Sequence, residues 1–124
     1  MECRAYGGGV TAALARIVIS VASLDAALPL YENVLDLRRI LESPGVVGLA
    51  LARGIELMLH ERPPTPGEAG IAPTFRVANV DAATKAAIAA GASVLDPPAD
   101  QAWGERQAVL RDVDGHVLCL VTPI

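Results

Sequence analysis

The chain writes one eight-residue phrase twice. "VASLDAAL" runs from Val21 to Leu28 and "VANVDAAT" from Val77 to Thr84. In each copy an apolar or alternating run ends at a valine, "ARIVISV" in the first and "APTFRV" in the second. An N-cap residue follows, Ser23 or Asn79, whose side-chain oxygen can accept from an unpaired N–H of the first helical turn. Asp25 and Asp81 come next, where the helix dipole favours a carboxylate. Beyond them the period changes from two to that of a helix. Leu24, Ala27, Leu28 and Tyr31 share one face of the first helix, and Val80, Ala83, Ala87 and Ile88 one face of the second. Gly91 suits the position just past the second helix. Pro29 lies beyond the first turn and should kink or shorten the first.

Strand patterns follow each helix. "LRRILE" meets "VVGLALA" across Ser43-Pro44-Gly45, and that strand meets "IELMLHE" across Arg53-Gly54. In the second half "SVLDP" is followed by a loop, then by "RQAVLRD" and "HVLCLVT" joined through Asp114-Gly115, a strong hairpin signal. Each half therefore reads strand-helix-strand-strand-strand, an internal duplication. The expected class is α+β: two βαβββ modules forming curved mixed sheets around a concave cleft. Module one is assigned to residues 13–62, a Pro- and Gly-rich linker to 63–70, and module two to 71–124, as a single domain. Residues 1–12, with Gly7-Gly8-Gly9, read as a flexible arm.

Strand side chains alternate between faces. Ile17, Ile19 and Val21 oppose Arg16, Val18 and Ser20; Ile55, Leu57 and Leu59 oppose Glu56, Met58 and His60; Phe75 and Val77 oppose Thr74 and Arg76. One face is apolar and should lie under the helices. The other mixes charged, polar and apolar groups, as the wall of a partly desolvated cleft would.

Composition narrows the function classes. The chain is 52% hydrophobic and 19% charged, enough for a packed core, with a net charge of −4. Arg38-Arg39 is its only adjacent basic pair, so no nucleic-acid partner is expected. No apolar run is long enough for a membrane span, and the first residues lack a signal-peptide pattern. Cys3 and Cys119 read as free thiols in a reducing compartment, and the expected location is cytoplasmic. There is no Gly-x-Ser-x-Gly turn, and the triple glycine lacks the Gly-Lys-Ser/Thr ending of a phosphate loop.

The two modules, the run "VASLDAALPLYENVL" and the later "WGER…RDVDGH" resemble the vicinal oxygen chelate superfamily, which contains glyoxalase I, extradiol dioxygenases and bleomycin-resistance proteins. The resemblance spans nearly the whole chain. Its enzymes hold a divalent metal with four residues on the concave sheet face. The positions usually filled by histidine fall here on Arg16 and Ala72; those usually filled by glutamate fall on Glu56 and Cys119. Only Glu56 keeps the ligand type. A catalytic zinc or iron needs about three protein ligands, and Arg16 can only donate. A set of Glu56, His60 and Cys119 is the remaining metal candidate and is disfavoured, because Cys119 reads as a small buried hydrophobe. An Arg16–Glu56 ion pair is expected to stand in the metal's place and fix the cleft floor.

The resemblance also implies a function without metal. Drug-binding members sequester their ligands between subunits of a dimer, and "AWGERQAVLRDVDGHV" resembles the corresponding segment. There an aromatic at the Trp103 position stacks on the ligand, or else anchors a loop or interface; Arg106 bonds ligand carbonyls or its own loop. Tyr31 reads as core. The favoured reading is a metal-independent binder of a small planar or amphipathic ligand, acting as a homodimer, without cofactor or catalytic residue. Its expected ligand-binding residues are Arg16, Ser20, Glu56, Met58, His60, Thr74, Arg76, Trp103, Arg106 and Cys119. The rivals are a metal-dependent lyase, isomerase or dioxygenase with atypical ligands, a metal-free enzyme with Glu56 as base, and a non-catalytic dimer with a vestigial cleft.

Overall fold

A computed structural model describes residues 13–68 and 70–124. The proposed arm at 1–12, with Cys3, lies outside them. Module one contains β1 (Arg16–Val21), α1 (Leu24–Leu28), β2 (Arg38–Ser43), β3 (Val46–Ala50) and β4 (Glu56–Glu61). The second half repeats the order with β5 (Thr74–Arg76), α2 (Val80–Ala89), β6 (Ser93–Asp100), β7 (Glu105–Arg111) and β8 (Val117–Pro123). Two four-stranded sheets result, ordered β1-β4-β3-β2 and β5-β8-β7-β6. In both, the first strand lies at one edge, parallel to the last, and the remaining pairs are antiparallel. The duplicated sequence has thus produced duplicated topology.

The caps form as their residue types dictate. Ser23 Oγ accepts from the Ala26 N–H at 3.3 Å, and Asn79 Oδ1 from the Ala82 N–H at 2.9 Å. Glu61 at the end of β4 adds a carboxylate acceptor for the Leu24 N–H at 2.9 Å. Pro29 ends α1 after five residues, and Pro29–Val34 continue as a wider π-type turn. Its i→i−5 bonds run from Leu35 N–H to Leu30 O and from Leu37 N–H to Glu32 O. The wider turn buries both Leu30 and Tyr31. Gly91, at φ +105°, lets the chain leave α2.

Two sequence expectations shift. Ile88 is exposed, and Thr84 takes the buried place between Val80 and Ala87, at positions i, i+4 and i+7 of the helix. The strand beginning at "SVLDP" runs on to Asp100 through Pro97-Pro98. Because β6 is an edge strand, its prolines need no ladder partner on the open side, and the register slips between Val94 and Asp96 and again before Ala99.

One apolar core serves both sheets. Ile19, Val21, Leu49, Leu57 and Leu59 join Val80, Ala108, Leu110, Leu118 and Leu120 in a single cluster with Leu30 and Tyr31. The alternation in β1 and β4 therefore points as the sequence implied. No helix among the described residues is long and apolar enough to cross a membrane.

Candidate functional site

The face of the first sheet turned away from the helices carries Arg16, Val18 and Ser20 of β1 beside Glu56, Met58 and His60 of β4, in register. Arg16 Nε donates to Glu56 Oε1 at 2.9 Å. The expected ion pair forms, with its carboxylate end sheltered: the Glu56 side chain is 14% exposed and the Arg16 side chain 51%. Gly48 of β3 leaves room for that carboxylate, since any side chain there would collide with it and press on the Leu41 Cβ. Gly48 was not singled out from the sequence. Its partner Met58 fixes the register, but only the packed sheet shows the diagonal lean of Glu56.

The other expected residues divide among several places. Thr74 and Cys119 are cross-strand partners on the second sheet, and Arg76 follows on the same face as Thr74. Trp103 lies in the β6–β7 turn, 64% exposed, and its Nε1–H donates to Glu105 Oε1 at 3.0 Å. Arg106 shares the face of the buried Ala108 and Leu110, on the helix side. It donates from Nε and Nη2 to Asp81 of α2 at 2.8 and 3.0 Å and from Nη1 to Asp100 at 3.0 Å. The structure gathers Arg16, Ser20, Glu56, Met58 and His60 on one sheet, and Thr74, Arg76 and Cys119 on the other. It sets Trp103 and Arg106 elsewhere.

The edge strands β1 and β5 share no ladder. Two cavities lie along them, and Ile17 and Pro73 stand in the walls of both. The larger, about 700 Å³, is lined by Val18, Ser20, Tyr31, the linker residues Pro63 and Thr65, His116 and Val117. The smaller, about 440 Å³, has Leu35, Leu37, Ile55, Phe75 and Arg76 in its wall.

The larger cavity is framed by a hydrogen-bonded junction between the halves. Tyr31 donates its hydroxyl proton to Asp112 Oδ2 at 2.7 Å. Asp112 Oδ1 accepts the N–H groups of Asp114 and His116 at 2.9 and 2.8 Å. Asp114 Oδ1 accepts from the Ala22 N–H at 3.2 Å, and His116 Nε2 stands 2.7 Å from the Ser20 carbonyl oxygen. Burial, and then the Asp112 carboxylate, push the Tyr31 phenol well above its ordinary pKa. The sequence showed this segment as a hairpin turn. That Asp112 is a buried acceptor for the opposite half was not visible in it.

The Glyoxalase/Bleomycin resistance protein/Dioxygenase superfamily model matches residues 13–120. The chain belongs to that superfamily. Among solved structures it is similar to a glyoxalase/bleomycin resistance protein/dioxygenase family enzyme from Burkholderia phytofirmans PsJN, at 24% identity and TM-score 0.74 over 91% of this chain and 100% of the other. A glyoxalase-related enzyme from Fulvimarina pelagi gives 19% identity and TM-score 0.76, over 89% and 87%. TioX from Micromonospora sp. ML1 gives 24% and 0.65, over 91% and 100%. At these identities the likeness is one of fold. No curated protein matches.

The divalent metal of the superfamily's enzymes does not fit the donors present. Arg16 brings a fixed positive charge and already holds Glu56 Oε1. Ala72 has no ligating atom, and Cys119 belongs to the other sheet. Glu56 and His60 are four residues apart on one strand, about 13 Å, too far to share an ion. Among the described residues no three His, Cys, Asp or Glu side chains converge as a metal site, so the set of Glu56, His60 and Cys119 is not assembled.

Proposed function

We propose that this superfamily member is a metal-independent small-molecule binding protein that sequesters its ligand in the hollow between its two modules. The observation that carries this reading is the Arg16–Glu56 pair, at 2.9 Å, on positions that the family resemblance matches to the metal ligands of its enzymes. A guanidinium there supplies the charge complement of the carboxylate and leaves no use for a cation. Sequestration needs shape, apolar wall and a few placed polar groups. Val18, 44% exposed beside Met58, and the cavity of about 700 Å³ supply the first two. We place the protein among homodimers, with a second copy covering the exposed Ile40 and Leu41.

The test is calorimetric titration with a panel of planar, amphipathic antibiotics, before and after exhaustive chelation. The expected result is binding whose affinity chelation leaves unchanged. Binding that vanishes on chelation and returns with one equivalent of zinc or manganese would overturn the reading.

A further inference from the structure

The cavity of about 700 Å³ contains one side chain whose hydrogen-bonding direction the structure dictates. His116 Nε2 lies 2.7 Å from the Ser20 carbonyl oxygen. A carbonyl only accepts, so Nε2 carries the proton. A neutral imidazole protonated there keeps a lone pair on Nδ1. The backbone of His116 is spent within its turn: its N–H goes to Asp112 Oδ1 and its carbonyl accepts from the Asp112 N–H, both at 2.8 Å. His116 itself stands in the cavity wall. No described residue bonds to Nδ1.

The surroundings favour a donor at that point. The Tyr31 hydroxyl proton is committed to Asp112, leaving its oxygen as an acceptor. Ser20 Oγ accepts from Arg62 Nε at 2.6 Å. Glu68, on the rim, is paired with Arg111 at 3.4 Å. Most of the remaining wall is apolar, including Ile17, Val18, Ile71 and Val117.

We propose that His116 is the specificity-determining acceptor of this cavity, selecting apolar ring compounds that carry a hydroxyl or N–H donor over bare hydrocarbons. The proposal rests on the reading that the chain binds small molecules between its modules, and it names their class. The same imidazole does two jobs: Nε2–H ties module two to β1, and Nδ1 receives the ligand's proton. A carboxylate ligand has no donor for Nδ1.

Naphthalene, 2-naphthol and 2-naphthoate are suitable probes, titrated into the full chain at pH 8. One hydrogen bond should make 2-naphthol about fivefold to tenfold tighter than naphthalene, although it is the less hydrophobic of the two. Naphthoate, with no donor for Nδ1, should bind alike to the unaltered chain and to His116→Gln. Two variants separate the roles of the ring. His116→Gln keeps an amide N–H within reach of the Ser20 carbonyl and removes the acceptor at Nδ1, so the naphthol-to-naphthalene preference should fall to about one. His116→Asn places an amide oxygen near the Nδ1 position, so a preference should survive. Naphthalene and naphthol binding alike, or full preference in His116→Gln, would overturn the assignment of His116 while leaving small-molecule binding in place. No binding of any probe would overturn the site itself.

Discussion

A methyl group at Gly48 would collide with the Glu56 carboxylate and come within 3.0 Å of the Leu41 Cβ. A strand glycine usually weakens its strand. Here it opens the slot that lets Glu56 lean inward and meet Arg16. Gly48→Ala should cost about 1–3 kcal/mol in urea unfolding, the range of core overpacking. Adding Glu56→Ala should recover part of that cost, giving a favourable coupling in the double-mutant cycle; strictly additive effects would refute the steric account. Tyr31 makes a second residue-scale case. Its folded pKa is raised by burial and then by Asp112, so the folded phenol stays neutral where an unfolded tyrosine ionises. The stability this carries is complete below about pH 10 and is lost as pH rises from there through the folded pKa. Tyr31→Phe leaves Asp112 Oδ2 without its 2.7 Å donor and should cost about 1–3 kcal/mol at neutral pH. Its urea midpoint should also fall less steeply than that of the unaltered chain above pH 10.

At the scale of elements, α2 is fastened to its sheet at one end. Asn79 caps it, and Asp81 in its first turn receives two bonds from Arg106 of β7, which also reaches Asp100 at the end of β6. The Arg106 hydrogen bonds hold the Asp81 carboxyl below its ordinary pKa. A lowered carboxylate pKa contributes stability above the unfolded value, and that contribution disappears as pH falls through the folded one. Arg106→Ala should therefore lower the urea midpoint at pH 7, and its gap from the unaltered chain should close below about pH 4. A gap independent of pH would assign the loss to packing of the Arg106 stem instead. The helix starts, the short α1 and the turns at Ser43-Pro44-Gly45, Arg53-Gly54 and Asp114-Gly115 were legible in the sequence because caps, prolines and glycines act within a few residues. The fate of Arg106 was not. Strand parity puts it on the helix side, but its partners Asp81 and Asp100 come from two other elements, and its resemblance to a ligand-binding segment pointed elsewhere.

For the whole molecule, the question is whether two modules make one folding unit. Their apolar faces enter a single core cluster, and the Tyr31–Asp112 and His116–Ser20 contacts cross between halves. Calorimetric and van't Hoff enthalpies of unfolding should therefore agree, as for one cooperative transition. Two resolved transitions would mean that the junction is weaker than each module's own packing. The junction also shapes the larger cavity, since Tyr31, Ser20 and His116 all stand in its wall.

The sequence by itself determined the duplicated topology, the helix limits at Pro29 and Gly91, and which strand face is wet. Each follows from local rules of period, capping and backbone freedom, and each is written twice in this chain. The pairing of Arg16 with Glu56 was implied by the family resemblance and not by the alternation, which fixes the face of each residue but leaves the register open to any even slip. Tertiary structure decided the rest. Gly48 makes room for a side chain from a neighbouring strand, Asp112 accepts a proton from a tyrosine in the other half, and His116 has its tautomer set by a carbonyl 96 positions away. Those assignments depend on distances between atoms that no local pattern brings together, and only the packing of one module against the other creates them.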